Sequence, residues 1–118
     1  PYARFMDLRA RGEAVRAAVL ETRTGAVVAF ASVTPWAAWP GASCVDLCVH
    51  PNFEDRASEL LGALPLPAGK CIAHVAKPMT HKSRAFIENG FTKEGRLSAA
   101  LNAGGVEHDV LVFGRHAG

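Results

Sequence analysis

The sequence predicts an α/β domain built on one mixed, twisted sheet that carries two helices. Apolar residues alternate along several short runs, which indicates strands, and their spacing becomes helical after residue 52 and again after residue 77. Turns rich in glycine or proline separate these runs. The 118 residues, 49% of them hydrophobic, suit a single compact domain. We expect the order β-β-β-α-β-α-β-β, with residues 1–14 as an irregular N-terminal segment and residues 15–115 as the core.

Antiparallel hairpins are expected at both ends of the sheet. Each hairpin joins two apolar or β-branched runs across a short turn: residues 15–21 with 26–34, and residues 92–101 with 106–115. The connecting sequences, Thr-Arg-Thr-Gly and Asn-Ala-Gly-Gly, are typical of the turns that join neighbouring antiparallel strands.

Strands and helices alternate in the middle of the chain. Residues 44–50 are predicted to form a strand, residues 53–64 a helix capped by Asn52, residues 70–76 a strand, and residues 80–89 a second helix. Because a helix separates them, the two strands are expected to run parallel. Alternation along residues 44–50 assigns its side chains to two faces: Val45, Leu47 and Val49 on one, and Asp46, Cys48 and His50 on the other.

Composition and charge exclude several classes of function. The net charge is only +2, and acidic and basic residues are interspersed, which argues against a nucleic-acid partner. No apolar run approaches the roughly 20 residues that span a bilayer, and the first residues do not have the pattern of a signal peptide. We therefore expect a cytoplasmic protein that does not bind membranes.

The three cysteines are expected to be small buried thiols in a reducing compartment. Cys44 and Cys48 lie four residues apart in one strand, so they share a face but are too far apart to form a disulfide easily. A metal site formed with His50 or His74 is the alternative. The apolar surroundings of Cys44, Cys48 and Cys71 favour buried thiols, so no metal is expected.

Two segments carry recognisable motifs in a fixed order. Residues 45–51 read Val-Asp-Leu-Cys-Val-His-Pro and lead directly into a helix. Residues 86–97 read Phe-Ile-Glu-Asn-Gly-Phe-Thr-Lys-Glu-Gly-Arg-Leu, and residues 108–112 read His-Asp-Val-Leu-Val. Together they resemble the C-terminal two-thirds of the GNAT superfamily of N-acetyltransferases, with its central strand ending in Val-x-Pro and its Gly-Phe-x-x-Glu-Gly corner. The resemblance covers residues 15–115.

The resemblance implies an acyl-CoA-dependent N-acyltransferase, with acetyl-CoA as the usual co-substrate and an amine of a small molecule or peptide as acceptor. In the family the amine attacks the thioester directly, so the protein mainly positions the reactants and transfers protons. Main-chain groups beside the central strand bind the thioester and pantetheine. The residues that would supply them in this chain are Leu47, Cys48 and Val49.

The same resemblance assigns the coenzyme pyrophosphate to the start of the helix after the central strand, where free N–H groups and the helix dipole favour an anion. The sequence departs from the family here, because the glycines of the family's loop are absent. Glu54 and Asp55 add two carboxylates to the first turn, and Arg56 is the only cation in this stretch. The residues expected to contact the coenzyme in this segment are Phe53, Arg56, Ala57 and Ser58.

The proton-transfer groups also differ from those of the family. The position of the family's tyrosine acid holds Phe86, which cannot donate a proton and is expected to pack in the core. The remaining catalytic candidates are Asp46 and His50 as bases and Cys48 as a weak S–H donor. The alternatives are a hydrogen-bonded strand carboxylate for Asp46 and a strand end before proline for His50.

Two further expectations concern the acceptor and the partners. Trp36 and Trp39 lie in the loop that borders the acceptor side in the family, so they are candidates for substrate binding, or else they cover the sheet edge. The chain is expected to lack the family's N-terminal strand and two helices, and therefore to form a homodimer or to dock on an upstream domain. The alternative function is a catalytically silent GNAT-like module that acts as a companion, ligand-sensing or dimerisation domain.

Overall fold

The structure is a computed structural model that describes the main chain of residues 2–10, 13–36 and 38–117, and the side chains of residues 17–36 and 38–116. Seven strands form one sheet in the order β1-β2-β3-β4-β5-β7-β6. The strands are β1 Tyr2–Ala10, β2 Glu13–Glu21, β3 Val27–Pro35, β4 Ala42–Val49, β5 Gly69–Ala76, β6 Thr92–Ala103 and β7 Val106–Ala117. The helical segments are a 3₁₀ helix at Pro51–Arg56, α1 at Ala57–Gly62 and α2 at Thr80–Glu88.

The sheet is mixed, as the sequence predicts. β4 and β5 run parallel, and every other neighbouring pair is antiparallel. The predicted hairpins β2–β3 and β6–β7 are both present, and α1 lies in the connection between the two parallel strands. The mixed sheet and the order of its core elements are therefore confirmed.

The expectation of an irregular segment at residues 1–14, with no N-terminal strand, is wrong. β1 pairs with β2 over nine residues, from Tyr2 opposite Glu21 to Ala10 opposite Glu13. This pairing satisfies main-chain groups of β2 that would otherwise form an open sheet edge. Strict alternation is interrupted in the sequence by the adjacent apolar residues Phe5 and Met6, which hides the strand. Among the described residues before β2 there is no helix.

The helical segment predicted at residues 53–64 begins earlier, at Pro51, and its first part is not α-helical. Its first part is a 3₁₀ helix, and Phe53, with φ −125° and ψ 18°, interrupts the helical conformation. The N-cap is His50 and not Asn52, because Nδ1 of His50 accepts a hydrogen bond from the main-chain N–H of Asn52 at 3.1 Å. Pro51 favours this earlier start, since proline has the φ of a helix and needs no hydrogen-bonded N–H in the first turn.

Both α-helices pack on the same face of the sheet and form the core with it. Phe86 of α2 is 1% exposed; its ring packs edge-on against Phe91 at 5.0 Å and is stacked with Phe113 at 6.2 Å, measured between centroids. Its expected role in core packing is confirmed. The buried cluster contains alternate strand residues and the inner side of α1, including Ala29, Ala31, Val45, Leu47, Leu60, Leu61, Cys71, Ala73 and Val75. Among the described elements no helix covers the opposite face, which we call the open face.

Candidate functional site

The centre of the sheet contains an opening between its two parallel strands. β4 and β5 pair only at their first residues, from Ala42 opposite Lys70 to Cys44 opposite Ile72. Beyond these paired residues, β4 remains paired with β3 as far as Val49, and β5 remains paired with β7. The two strands therefore diverge, and main-chain groups of β4 face a wedge-shaped gap.

The direction of the β4 peptide groups follows from two hydrogen bonds. The N–H of His50 donates to the carbonyl oxygen of Val28 in β3 at 2.8 Å. Because peptide groups alternate along a strand, those of Cys48 also point to β3, and those of Leu47 and Val49 point to the gap. The N–H of Leu47 donates to Oδ1 of Asp46 at 2.8 Å, as expected for a donor that has no strand partner. Leu47 and Val49 thus border the gap with their main chain, whereas the peptide groups of Cys48 point away from it.

The three candidate catalytic side chains share the open face, as alternation predicts. Asp46 is exposed, and one of its carboxylate oxygens accepts the hydrogen bond from Leu47. Cys48 is half-buried and lies opposite Phe30 of β3. Nδ1 of His50 accepts the cap hydrogen bond from Asn52, so this nitrogen is not available as a base. Of the two candidate bases, the geometry favours Asp46.

A cleft with a volume of about 320 Å³ lies between α2 and the segment that follows β4. Its lining contains three carboxylates and two basic groups, together with the start of α1: Glu54, Asp55, Ala57, Ser58, His81, Arg84, Ala85 and Glu88. Nδ1 of His81 lies 3.6 Å from Oε1 of Glu54, so this contact joins the two walls. The predicted contacts Ala57 and Ser58 belong to the cleft, whereas Phe53 packs against the hydrophobic core.

The arginine that lines this cleft is Arg84, whereas the sequence indicated Arg56. The Arg56 guanidinium forms two hydrogen bonds with Glu59, Nε to Oε2 at 2.8 Å and Nη2 to Oε1 at 3.0 Å. This contact raises the pKa of Arg56 and lowers the pKa of Glu59. Arg84 lines the cleft instead and was not among the candidates. Its spacing with His81, Ala85 and Glu88 follows one face of a helix, a signal that the sequence already contains.

A second groove lies on the open face, at the end of the sheet where β4 and β5 are still paired. It has a volume of about 330 Å³ and is lined by Trp36, Trp39, Ala42, Lys70 and Ile72. The two indole rings are stacked with centroids 6.2 Å apart, and Trp39 is 66% exposed. The structure thus brings both predicted substrate-binding residues together in one groove beside the opening.

The three cysteines form no disulfide with one another. Cys44 and Cys48 are half-buried and Cys71 is buried, all with free thiols. Burial raises the pKa of Cys44; it also raises the pKa of Cys71, where Arg115 partly opposes the shift. In the described part of the chain, no three His, Cys, Asp or Glu side chains are grouped to hold a metal ion. None of the helices there is long and apolar enough to cross a membrane.

Comparison with known proteins gives structural neighbours only. No family model and no curated protein sequence matches the chain. A phosphinothricin acetyltransferase from Sinorhizobium meliloti in complex with AcCoA superimposes with a TM-score of 0.68 and 19% identity, covering 88% of this chain and 62% of that one. A spermidine N-acetyltransferase chimera from Vibrio cholerae and hSSAT gives 0.66 and 18%, covering 86% and 67%. A GNAT-family acetyltransferase from Streptococcus pneumoniae gives 0.66 and 15%, covering 88% and 67%.

These neighbours define the class of fold. The chain has the fold of the GNAT superfamily of N-acetyltransferases, which confirms the resemblance found in its sequence at the level of the fold. It spans about two-thirds of the length of the structures that it matches, between 62% and 67% in these three.

Proposed function

We propose that the chain forms the core of an acyl-CoA-dependent N-acyltransferase, with acetyl-CoA as acyl donor and an amine of a small molecule or peptide as acceptor. The observation that carries this proposal is the gap between β4 and β5, bordered by the main chain of Leu47 and Val49. Such main-chain groups suit the amides and the thioester oxygen of an acyl-pantetheine chain. The proposal is further supported by the fold shared with an acetyltransferase whose structure contains AcCoA.

In this proposal the residues of β4 transfer the protons. The Asp46 carboxylate accepts a proton from the acceptor amine, and the half-buried Cys48 thiol donates one to the departing thiolate. The hydrogen bond from Leu47 to Asp46 must open when the N–H of Leu47 binds the donor. Coenzyme binding and the freeing of the base are therefore coupled at one peptide group.

The proposed site for the coenzyme phosphates is the cleft between α1 and α2. Ala57, Ser58 and Arg84 line it. Arg84 supplies the positive charge, because the Arg56 guanidinium is hydrogen-bonded to Glu59. Glu54 and Asp55 oppose a phosphate there, so the proposal predicts weak binding that improves when these carboxylates are neutralised.

Calorimetric titration of CoA tests this assignment. Arg84→Ala is expected to weaken binding by about tenfold, the loss of one charge-assisted hydrogen bond of roughly 1.5 kcal/mol. The control Lys82→Ala removes the same charge from the same helix, outside the cleft lining, and is expected to change the affinity less than twofold. The double variant Glu54→Gln, Asp55→Asn is expected to bind CoA more tightly. Equal effects of Arg84→Ala and Lys82→Ala would reject the cleft as the phosphate site.

A catalytically silent module remains the second candidate, and a specific observation favours it. Phe86 fills the core at the position where the family has its tyrosine acid, and Asp46 occupies the N–H of Leu47. Release of free thiol from acetyl-CoA in the presence of amines separates the two functions. CoA binding without amine-dependent thiol release would support the silent module, whereas saturable release would support the transferase.

Self-association through the C-terminal hairpin and a cytoplasmic location complete the proposal. β6 is an edge strand, and the β6–β7 hairpin exposes three large apolar side chains, Leu97, Leu101 and Val106. Exposed apolar groups beside an open edge favour pairing with a second copy of the chain. Light scattering is expected to give the mass of a dimer, and Leu97→Lys to give that of a monomer. The three unpaired cysteines are consistent with the proposed location.

A further inference from the structure

The groove on the open face is lined by both tryptophans of the chain. We propose that the groove of Trp36, Trp39, Ala42, Lys70 and Ile72 binds the apolar, preferably aromatic, body of the acceptor, so that the substrate is an arylalkyl monoamine and not a polyamine. This inference rests on the proposed function and specifies the acceptor of that site.

The walls of the groove are apolar. Four of its five lining residues are apolar, namely Trp36, Trp39, Ala42 and Ile72, and Trp39 is 66% exposed. An exposed tryptophan beside a second aromatic ring offers a flat surface on which another ring stacks favourably. The bulky apolar part of a ligand would bury this surface from water.

The charges around the groove do not match a second ammonium group. Lys70 is the only charged residue in the lining, and its Nζ lies 2.5 Å from Oε2 of Glu94. The nearby carboxylate is therefore already paired with a cation. A polyamine needs an unpaired carboxylate for each additional ammonium group, because an uncompensated charge near apolar walls is costly. The groove meets the needs of a ligand with one amine and an uncharged body.

The groove lies on the same face of the sheet as the candidate base. Ile72 is opposite Cys44, the last residue of β4 that pairs with β5, and Asp46 follows two residues later on the same face. Side chains of a strand alternate between its faces, so Asp46 is the next β4 side chain on this face after Cys44, about 6.6 Å further along the strand. The volume of about 330 Å³ suits one ring with a short chain.

Intrinsic fluorescence offers a direct test, because both tryptophans of the chain line this groove. Titration of 2-phenylethylamine without coenzyme is expected to change the tryptophan emission saturably, and spermidine to leave it unchanged. Trp39→Ala is expected to weaken phenylethylamine binding by at least tenfold, and Trp39→Phe to retain most of it. The control Ile87→Ala, at an exposed apolar residue of α2 outside the groove, should bind like the wild type.

The outcomes separate this inference from the proposed function. The inference would be overturned by equal responses to both amines or by no response to either. It would also be overturned if the emission depended only on protein concentration, which is the result expected when a second copy of the chain fills the groove. If phenylethylamine binds but acetyl-CoA neither binds nor releases thiol, the groove is an amine site and the transferase proposal fails alone. If acetyl-CoA is consumed with spermidine but not with phenylethylamine, the transferase proposal stands and the inference fails.

Discussion

The Asp46 carboxylate is hydrogen-bonded to the Leu47 N–H at the gap between β4 and β5. Its removal should strengthen CoA binding and lower the rate of turnover. Its Oδ1 accepts the N–H of Leu47 at 2.8 Å, so an incoming acyl donor must displace the carboxylate from this donor group. A hydrogen bond to a charged group contributes about 1.5–3 kcal/mol, and the exposure of Asp46 favours the lower end. Asp46→Ala is therefore expected to tighten CoA binding by roughly tenfold.

The same substitution removes the proposed base, which typically contributes at least about a hundredfold to turnover. Asp46→Asn keeps an acceptor for Leu47 but removes the base, so it should lose the same turnover and gain less affinity. Calorimetry with CoA and thiol release at saturating acetyl-CoA measure the two effects separately. Glu107→Ala, which removes an exposed carboxylate from the hairpin, is the control for net charge. Unchanged CoA affinity and unchanged turnover in Asp46→Ala would refute this reasoning.

Three further predictions concern stability and the coenzyme segment. Phe86→Leu should destabilise the fold by about 1–3 kcal/mol through lost ring contacts and volume, whereas Ile87→Ala, an exposed neighbour, should change stability by less than about 0.5 kcal/mol in chemical denaturation. The hydrogen bond from the N–H of Ala99 holds the pKa of Asp109 below its usual value, with nearby basic groups acting in the same direction. Asp109 therefore stabilises the fold fully above its unfolded pKa of about 3.9, and this stabilisation is lost as pH falls through its lower folded pKa. Asp109→Ala should lower Tm at pH 7. Near pH 2 the variant and the wild type should have the same Tm. Arg56→Ala should change CoA affinity less than twofold, because the Arg56 guanidinium is already held in an ion pair with Glu59. A tenfold loss of affinity would indicate that Arg56 contacts the phosphates.

Periodicity in the sequence predicted the strands that form the core of the sheet. Alternation in residues 44–50 was enough to assign Asp46 and Cys48 to the open face, because side-chain direction in a strand follows directly from position. β1 was missed, since adjacent apolar residues interrupt its alternation. Apolar spacing does not distinguish the 3₁₀ helix from an α-helix, because the two have similar spacing over one or two turns.

The parts of the site that escaped prediction depend on contacts between distant segments. The hydrogen bond that occupies the N–H of Leu47 exists because β4 and β5 diverge, and sequence pattern does not report where a pair of strands separates. The place of Arg84 in the cleft requires α2 to pack beside α1. The ion pair of Arg56 with Glu59 can be predicted from the sequence, because residues three apart on a helix are neighbours.

The central claim is that an acyl-CoA binds in the gap between β4 and β5. Titration of acetyl-CoA into the ¹⁵N-labelled protein, followed through the backbone amide signals, tests it most directly. The proposal predicts that the largest shifts occur at Leu47, Val49, Ala57 and Ser58, with saturation at a common Kd. Shifts that are absent from these amides at millimolar acetyl-CoA, or that are confined to other strands, would contradict it.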